Sequence, residues 1–330
     1  MFKYEMKRAI GKLLHISSAS KLLLPAMNQE RIRIEKLRAE VHGLPPLEFR
    51  DGASSEESWR KNLRRLRELI LSRDPRGFLR WDVIAQTMYI RNAEYIRQEF
   101  EFIKRLPDWE SRWHKAIRES SVGCPMPYWQ DLRTSATVIH HAYHLARLEE
   151  KTAASISDVD YVCEFGGGYG GMCRLMHNLG FHGKYVIFDL PEFSALQRYF
   201  LTALKFTVSP VHDSKAVSKG VVCISDPGQF RELLIGAAGK SNSLFIATWS
   251  ISEAPVNLRA SILPLLSSFK TVLIAYQNQF EQTDNVEFFR GWREGQKNKT
   301  WQHWQIEHLP HSYYLIGQTT SSSDNSHNLP

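Results

Sequence analysis

The 330 residues, 43% of them apolar, suffice for one large domain or two ordinary ones with a buried core, which excludes wholesale disorder. A formal net charge of +7 arises mostly in the first half, where Arg60-Lys-Asn-Leu-Arg-Arg-Leu-Arg67 concentrates it. Such a field favours an anionic partner, although a solvated helix face is the commoner explanation.

In chain order, Phe2, Met6, Ile10, Leu13 and Leu14 recur at helical spacing among basic residues. This basic helix is expected to dock on its own domain, on a glycan-assembly partner or on a membrane surface. The start lacks the apolar region of a signal peptide, and no run reaches the ~18 apolar residues of a membrane span. Cys124, Cys163, Cys173 and Cys223 show neither CxxC nor zinc spacing. The expected location is therefore the cytoplasm, with the inner membrane face as a peripheral site.

Residues 1–150 read as helical, with helices predicted over Glu57–Leu71, Ile84–Leu106 and Ser135–Glu149. Breaks fall at Gly43-Leu-Pro-Pro46, Asp74-Pro75 and Gly123-Cys-Pro-Met-Pro127. This region is expected to act as a substrate lid, a docking surface or an oligomerisation surface, a homo-oligomer being one arrangement it allows. A second domain, 151–320, alternates short apolar runs with helical segments. Its predicted strands are Tyr161–Phe165, Lys184–Asp189, Val221–Ser225, Ser243–Thr248, Thr271–Gln277, Trp304–His308 and Tyr313–Thr319. Unbroken apolar runs suit strands covered on both faces. The pattern predicts an α/β fold: a Rossmann-like, doubly wound, seven-stranded sheet ending in an antiparallel hairpin. Residues 321–330 form a polar tail expected to be disordered.

The loop after the first strand carries the chemistry. Gly166-x-Gly168-x-x-Gly171 fits a dinucleotide fingerprint. The wider segment Glu164-Phe-Gly-Gly-Gly-Tyr-Gly-Gly171 fits the acidic-glycine motif of class I methyltransferases. Both need glycines for positive φ and close ligand approach. The charge separates them. A pyrophosphate seeks the positive end of the following helix, and an upstream carboxylate works against it. S-adenosylmethionine has no phosphate and carries an ammonium and a sulfonium, which a carboxylate suits. Glu164, Gly166, Gly167, Gly168 and Gly170 are therefore assigned to S-adenosylmethionine. Asp189, 25 positions after Glu164 and followed by Leu190, is expected to accept bonds from the ribose hydroxyls; a helix N-cap is its ordinary alternative. Asp226, after the third strand, is a weaker candidate for the adenine edge.

The glycine segment, Phe188-Asp-Leu-Pro191 and Trp249-Ser-Ile-Ser-Glu-Ala-Pro255 together resemble the bacterial sugar O-methyltransferases, over roughly residues 125–318. The resemblance implies a class I methyltransferase fold, a sugar hydroxyl as acceptor, and a role in polysaccharide or glycosylated-metabolite synthesis. The chain is also similar to plant-type small-molecule O-methyltransferases, whose base is a histidine just after the fourth strand. Trp249 stands at the matching place, so that base is not carried over.

A sugar hydroxyl is a poor nucleophile, so a general base is expected at the carboxyl edge of the sheet. Glu253, beyond the fourth strand, and His308 and His311, beside the terminal turn, are the candidates. Substrate contacts are expected from His140, His144, Trp249, Tyr276, Gln277 and Asn278. The spacing of His140 and His144 suits a metal, but no third ligand accompanies them, and no metal is expected. Nucleic acid is not expected as a partner. The alternatives are a methyltransferase acting on a non-sugar molecule, an NAD-dependent oxidoreductase, and a non-catalytic cofactor-binding subunit.

Overall fold

The computed structural model describes residue 22 and residues 24–47 and 54–320. The amphipathic segment from Phe2 to Leu14 and the polar tail from Ser321 lie outside the described residues. The chain divides into two compact units.

The first unit takes in the described residues up to Ala146, with Gly168–Gly180 and Asp189–Val208. Its helices are α1 (Asn28–His42), α2 (Ser54–Ser72), α3 (Asp82–Thr87), α4 (Ile96–Lys104), most of α5 (Ala136–Thr152), α6 (Gly171–Asn178) and α7 (Pro191–Ala203). Pro191 opens α7, where its fixed φ suits the first helical position and its missing N–H costs no helical bond. Helix α1 packs on α7, with Glu40 paired to Arg198. Arg67 of α2 reaches the buried Glu192 of α7 at 2.6 Å. The basic run of α2 is largely neutralised locally: Arg60 pairs with Glu56, and Arg65 with Glu68 and Asp82.

The helix expected over Ile84–Leu106 is two helices, α3 and α4, separated by residues 88–95. The break is stabilised by Thr137 of α5. Its hydroxyl accepts from the Ile90 N–H at 2.9 Å and donates to the Ile90 carbonyl at 3.2 Å. A side chain distant in sequence thus satisfies backbone groups that a continuous helix would have paired.

The second unit takes in Arg147–Gly167, Phe181–Phe188 and the described residues from Ser209. It holds β1 (Tyr161–Phe165), β2 (Lys184–Phe188), β3 (Gly220–Ile224), β4 (Ser243–Thr248), β5 (Thr271–Gln277), β6 (Gln279–Phe280), β7 (Thr283–Asp284), β8 (Lys299–Gln305) and β9 (Ser312–Thr319). Its helices are α8 (Pro227–Ile235), α9 (Ser250–Glu253), α10 (Val256–Ile262) and α11 (Asn285–Glu294). Seven strands form one sheet in the order β3-β2-β1-β4-β5-β9-β8. Neighbours among β1 to β5 are parallel, whereas β9 runs antiparallel to both β5 and β8. This is the Rossmann-like, doubly wound arrangement with a C-terminal antiparallel hairpin. The strand order reverses between β1 and β4, which is where ligands of such sheets bind.

Alternate residues Tyr161, Cys163 and Phe165 of β1 join Val186, Val222, Phe245, Val272 and Ile274 in one apolar cluster with Phe230 of α8, Ile262 of α10 and Phe289 of α11. The intervening residues of β1, Val162 and Glu164, are buried as well. β8 spans Lys299–Gln305 rather than the expected Trp304–His308. It is an edge strand, so its Lys-Thr-Trp-Gln-His-Trp-Gln sequence alternates polar and aromatic residues and does not read as an apolar run. Its register is anchored where Trp301 faces Gly317, since a side chain at 317 would collide with the indole. α11 and the β6–β7 hairpin were not foreseen. Asp284 caps α11 by accepting from the Glu287 N–H at 3.0 Å. No described helix is long and apolar enough to cross a membrane.

Candidate functional site

In the second unit, β1 delivers Glu164 and the first loop glycines to the point of strand reversal. Glu164 is 3% exposed, and its Oε2 accepts from the Tyr185 hydroxyl of β2 at 2.9 Å. A carboxylate in an otherwise apolar strand carries a desolvation cost that a packing role alone does not explain. Gly166 donates to the Phe188 carbonyl at 2.7 Å and adopts φ +73°. A Cβ there would collide with Ser250, whose hydroxyl donates to the Phe165 carbonyl. The ends of β1 and β4 are thus stitched together, and only glycine fits at 166. At Gly167 a Cβ would collide with Ile187 and stand 2.9 Å from the Glu164 carboxylate.

In the first unit, the loop continues with Gly168 in the left-handed region, at φ +57°. Its N–H donates to Asp189 Oδ2 at 2.8 Å, and its carbonyl accepts from Gln197 Nε2 at 2.8 Å. Gly170, at φ +93°, is the N-cap of α6. Asp189 precedes α7, and its Oδ1 accepts from the Leu190 N–H at 2.8 Å. Leu190 itself is exposed. Burial raises the Asp189 carboxyl to about 7, outweighing the hydrogen bonds that favour its charged form. The structure thus joins Gly168 to Asp189, with Gly170 at the start of α6 and Leu190 exposed beside the acid.

His140 and His144 share the buried face of α5, with ring centroids 4.2 Å apart. His140 Nδ1 lies 2.8 and 3.0 Å from the two carboxylate oxygens of the fully buried Glu99. Their neighbour His141 is held at about 3 by burial, and is neutral at ordinary pH. Among the described residues no group of three or more His, Cys, Asp or Glu could hold a metal.

The remaining candidates lie at the carboxyl edge of the second unit's sheet. Trp249 leaves β4 with φ +62°, a backbone region that side chains rarely adopt, and its N–H donates to the Ala275 carbonyl at 2.6 Å. Glu253, at the end of α9, is half-buried and accepts from Gln277 Nε2 at 3.3 Å. Burial raises its pKa, which Gln277 and the nearby Arg259 only partly offset. Arg259 donates to the Ala254 and Ser252 carbonyls and, at 2.7 Å, to Asn285 Oδ1. It thereby fixes the turn that carries Glu253. Because β8 is antiparallel to β9, and β9 to β5, the turn 306–311 returns to the same edge as the ends of β4 and β5. There the exposed His311 accepts, through its carbonyl, from the Asn278 N–H at 2.6 Å; His308 is half-buried. Glu253 meets Gln277, and Asn278 meets His311. Tyr276 points into the core, with its hydroxyl 2.8 Å from His303 Nε2. Asp226 caps α8, accepting from the Gln229 N–H at 2.7 Å.

Sequence reasoning missed Tyr185, Gln197, Ser250 and Glu99. Each acts by holding another residue, and such partners leave no local motif. Among solved structures, similarity is found to the methyltransferase domain of bacterial CtHen1-C. The identity is 11% and the TM-score 0.38, over 55% of this chain and 97% of that one. Similarity also extends to magnesium protoporphyrin IX methyltransferase from Synechocystis PCC 6803 with bound SAM (10% identity, TM-score 0.37, 69% of this chain and 98% of that one). A third is Aeropyrum pernix fibrillarin in complex with S-adenosyl-L-methionine (12%, 0.35, 54% and 74%). No protein-family model matches the chain, and no curated protein matches it.

Proposed function

We propose that this protein is an S-adenosylmethionine-dependent O-methyltransferase acting on a sugar hydroxyl of a glycan or glycosylated metabolite. The observation that carries the cofactor assignment is the buried Glu164, held by Tyr185 at the end of β1 and followed at once by a glycine loop at the strand reversal. A fixed carboxylate before the loop suits a cationic amino-acid moiety and opposes a pyrophosphate. Gly166, Gly167 and Gly168 would hold the cofactor along the loop backbone, with Glu164 toward its charged end and Asp189 toward the ribose. Bound there, S-adenosylmethionine would supply an electrophilic methyl group. The protein's own tasks are to orient the acceptor oxygen and to take its proton.

For the proton, Glu253 has the most favourable setting. Its basicity is raised by burial, and the Gln277 amide orients it. The sugar assignment draws on the sequence resemblance over residues 125–318. Calorimetric titration with S-adenosylhomocysteine and with NAD tests the cofactor: binding of the former alone is expected, and binding of NAD alone would refute the assignment. Methyl transfer from labelled cofactor to sugar and non-sugar acceptors then tests the acceptor class.

A further inference from the structure

We propose that Gln197 is a positioning residue for the cofactor, locking the Gly168 peptide and the Asp189 carboxylate into one arrangement. The inference rests on the cofactor reading above. Gln197 lies on α7 and is fully buried, so it acts through its neighbours. Its Nε2 donates to the Gly168 carbonyl at 2.8 Å and lies 3.3 Å from Asp189 Oδ2. Both partners are acceptors, which settles the orientation of the amide: the nitrogen faces the loop and Oε1 faces away. Asp189 Oδ2 in turn accepts from the Gly168 N–H at 2.8 Å. Gly168 is therefore held at both its N–H and its carbonyl, in a left-handed conformation that glycine alone adopts freely.

The arrangement has a standing cost. Gln197 Oε1 is buried and has no hydrogen-bond partner among the described atoms. An unmatched buried acceptor lowers stability and offsets what the two donated bonds return. Because Gly168 and Asp189 are only half-buried, water can replace the lost donor, and an apolar side chain of similar volume would leave the fold about as stable. The residue that stands there instead is the one that can donate to both the loop and the acid. The groups acting on Asp189 are the Gly168 and Leu190 N–H groups and the Gln197 amide. Nearby on α7, Glu192 is tied to Arg67 and Arg198 to Glu40.

The experiment compares the wild-type protein with Gln197→Met and Gln197→Asn by calorimetric titration with S-adenosylhomocysteine, by thermal unfolding, and by carbon NMR of the Asp189 carboxyl in the ligand-free protein. Asp189→Asn identifies that resonance. The expected result is that Gln197→Met unfolds no earlier than wild type while binding falls about tenfold, the value of one hydrogen bond. The Asp189 titration should also move to higher pH, because a bond to its charged form is lost. A merely structural glutamine would show the reverse: earlier unfolding, with affinity and the Asp189 titration unchanged. Should Gln197→Met fail to fold, Gln197→Asn, which stays polar but is one carbon shorter, is expected to show the same loss of affinity and the same titration shift. Tight binding by the folded variants with an unmoved Asp189 titration overturns the inference alone. Absence of S-adenosylhomocysteine binding by the wild-type protein overturns the cofactor reading, and this role with it.

Discussion

Replacing Asp189 by Asn should separate stability from binding, because the fold keeps this carboxylate at a cost. Its pKa rises from an ordinary 3.8 to about 7, with burial as the largest cause. A folded-state pKa above the unfolded one means that the folded protein holds the proton more tightly. Stability from this group is thus greatest in acid and is lost progressively as pH rises from about 4 to about 7. At 1.36 kcal/mol per pH unit the full effect approaches about 4 kcal/mol, and partial access of water to the half-buried side chain reduces it to about 2 kcal/mol. Asn carries no charge but can accept at only one of the two positions where Asp189 meets the Leu190 and Gly168 N–H groups, so the informative quantity is the change with pH. From pH 4 to pH 8 the unfolding temperature of Asp189→Asn should rise by about 3 °C relative to wild type. His141 works in the opposite direction, being held neutral at about 3 and losing stability as pH falls below 6.5. That contribution is common to both proteins and cancels in the difference. Scanning calorimetry from pH 4 to 8 provides the measurement, and titration with S-adenosylhomocysteine should show weaker binding by the variant. A difference between the two proteins that does not change with pH would refute the reasoning.

Gly166→Ala should cost about 2–4 kcal/mol, from collision with Ser250 and from a left-handed backbone. Measured against Ser250→Gly alone, which already lacks the hydroxyl's bond to the Phe165 carbonyl, Gly166→Ala should cost only about 1 kcal/mol in a urea titration; an undiminished cost would mean the collision is not the cause. Glu253→Gln, His308→Asn and His311→Asn should each keep S-adenosylhomocysteine affinity, while at least one lowers turnover about 10²–10⁴-fold. Normal turnover by all three would move the base elsewhere. Glu99→Ala should destabilise by about 2–3 kcal/mol, because it strips the buried His140 of its carboxylate partner. Unfolding at the wild-type denaturant concentration would count against that pairing.

The parallel strands were readable because burial on both faces leaves an apolar signature; Tyr161–Phe165, Ser243–Thr248 and Thr271–Gln277 begin and end where their residues predict. The edge strand β8 was misplaced because exposure lets it carry Gln302, His303 and Gln305 among its aromatics. The break between α3 and α4 was hidden because the hydroxyl that stabilises it belongs to Thr137, 47 positions beyond Ile90. The site divides in the same way. The glycine loop and Asp189 are conspicuous, since backbone conformation and charge restrict which residues serve there. Gln197 and Tyr185 are ordinary residues whose importance lies in what they hold, and only coordinates reveal it.

β9 is the last described strand in sequence, yet it lies inside the sheet between β5 and β8. During synthesis, the C-terminal half of the sheet therefore stays open until residues 312–319 have left the ribosome. Until then β5 presents an unpaired edge along its buried, β-branched residues, and β8 has no neighbour. Such an edge is a template for pairing with other chains. A truncation before Ser312 should consequently do more than remove the His311 turn: it should make the chain aggregate as it is made.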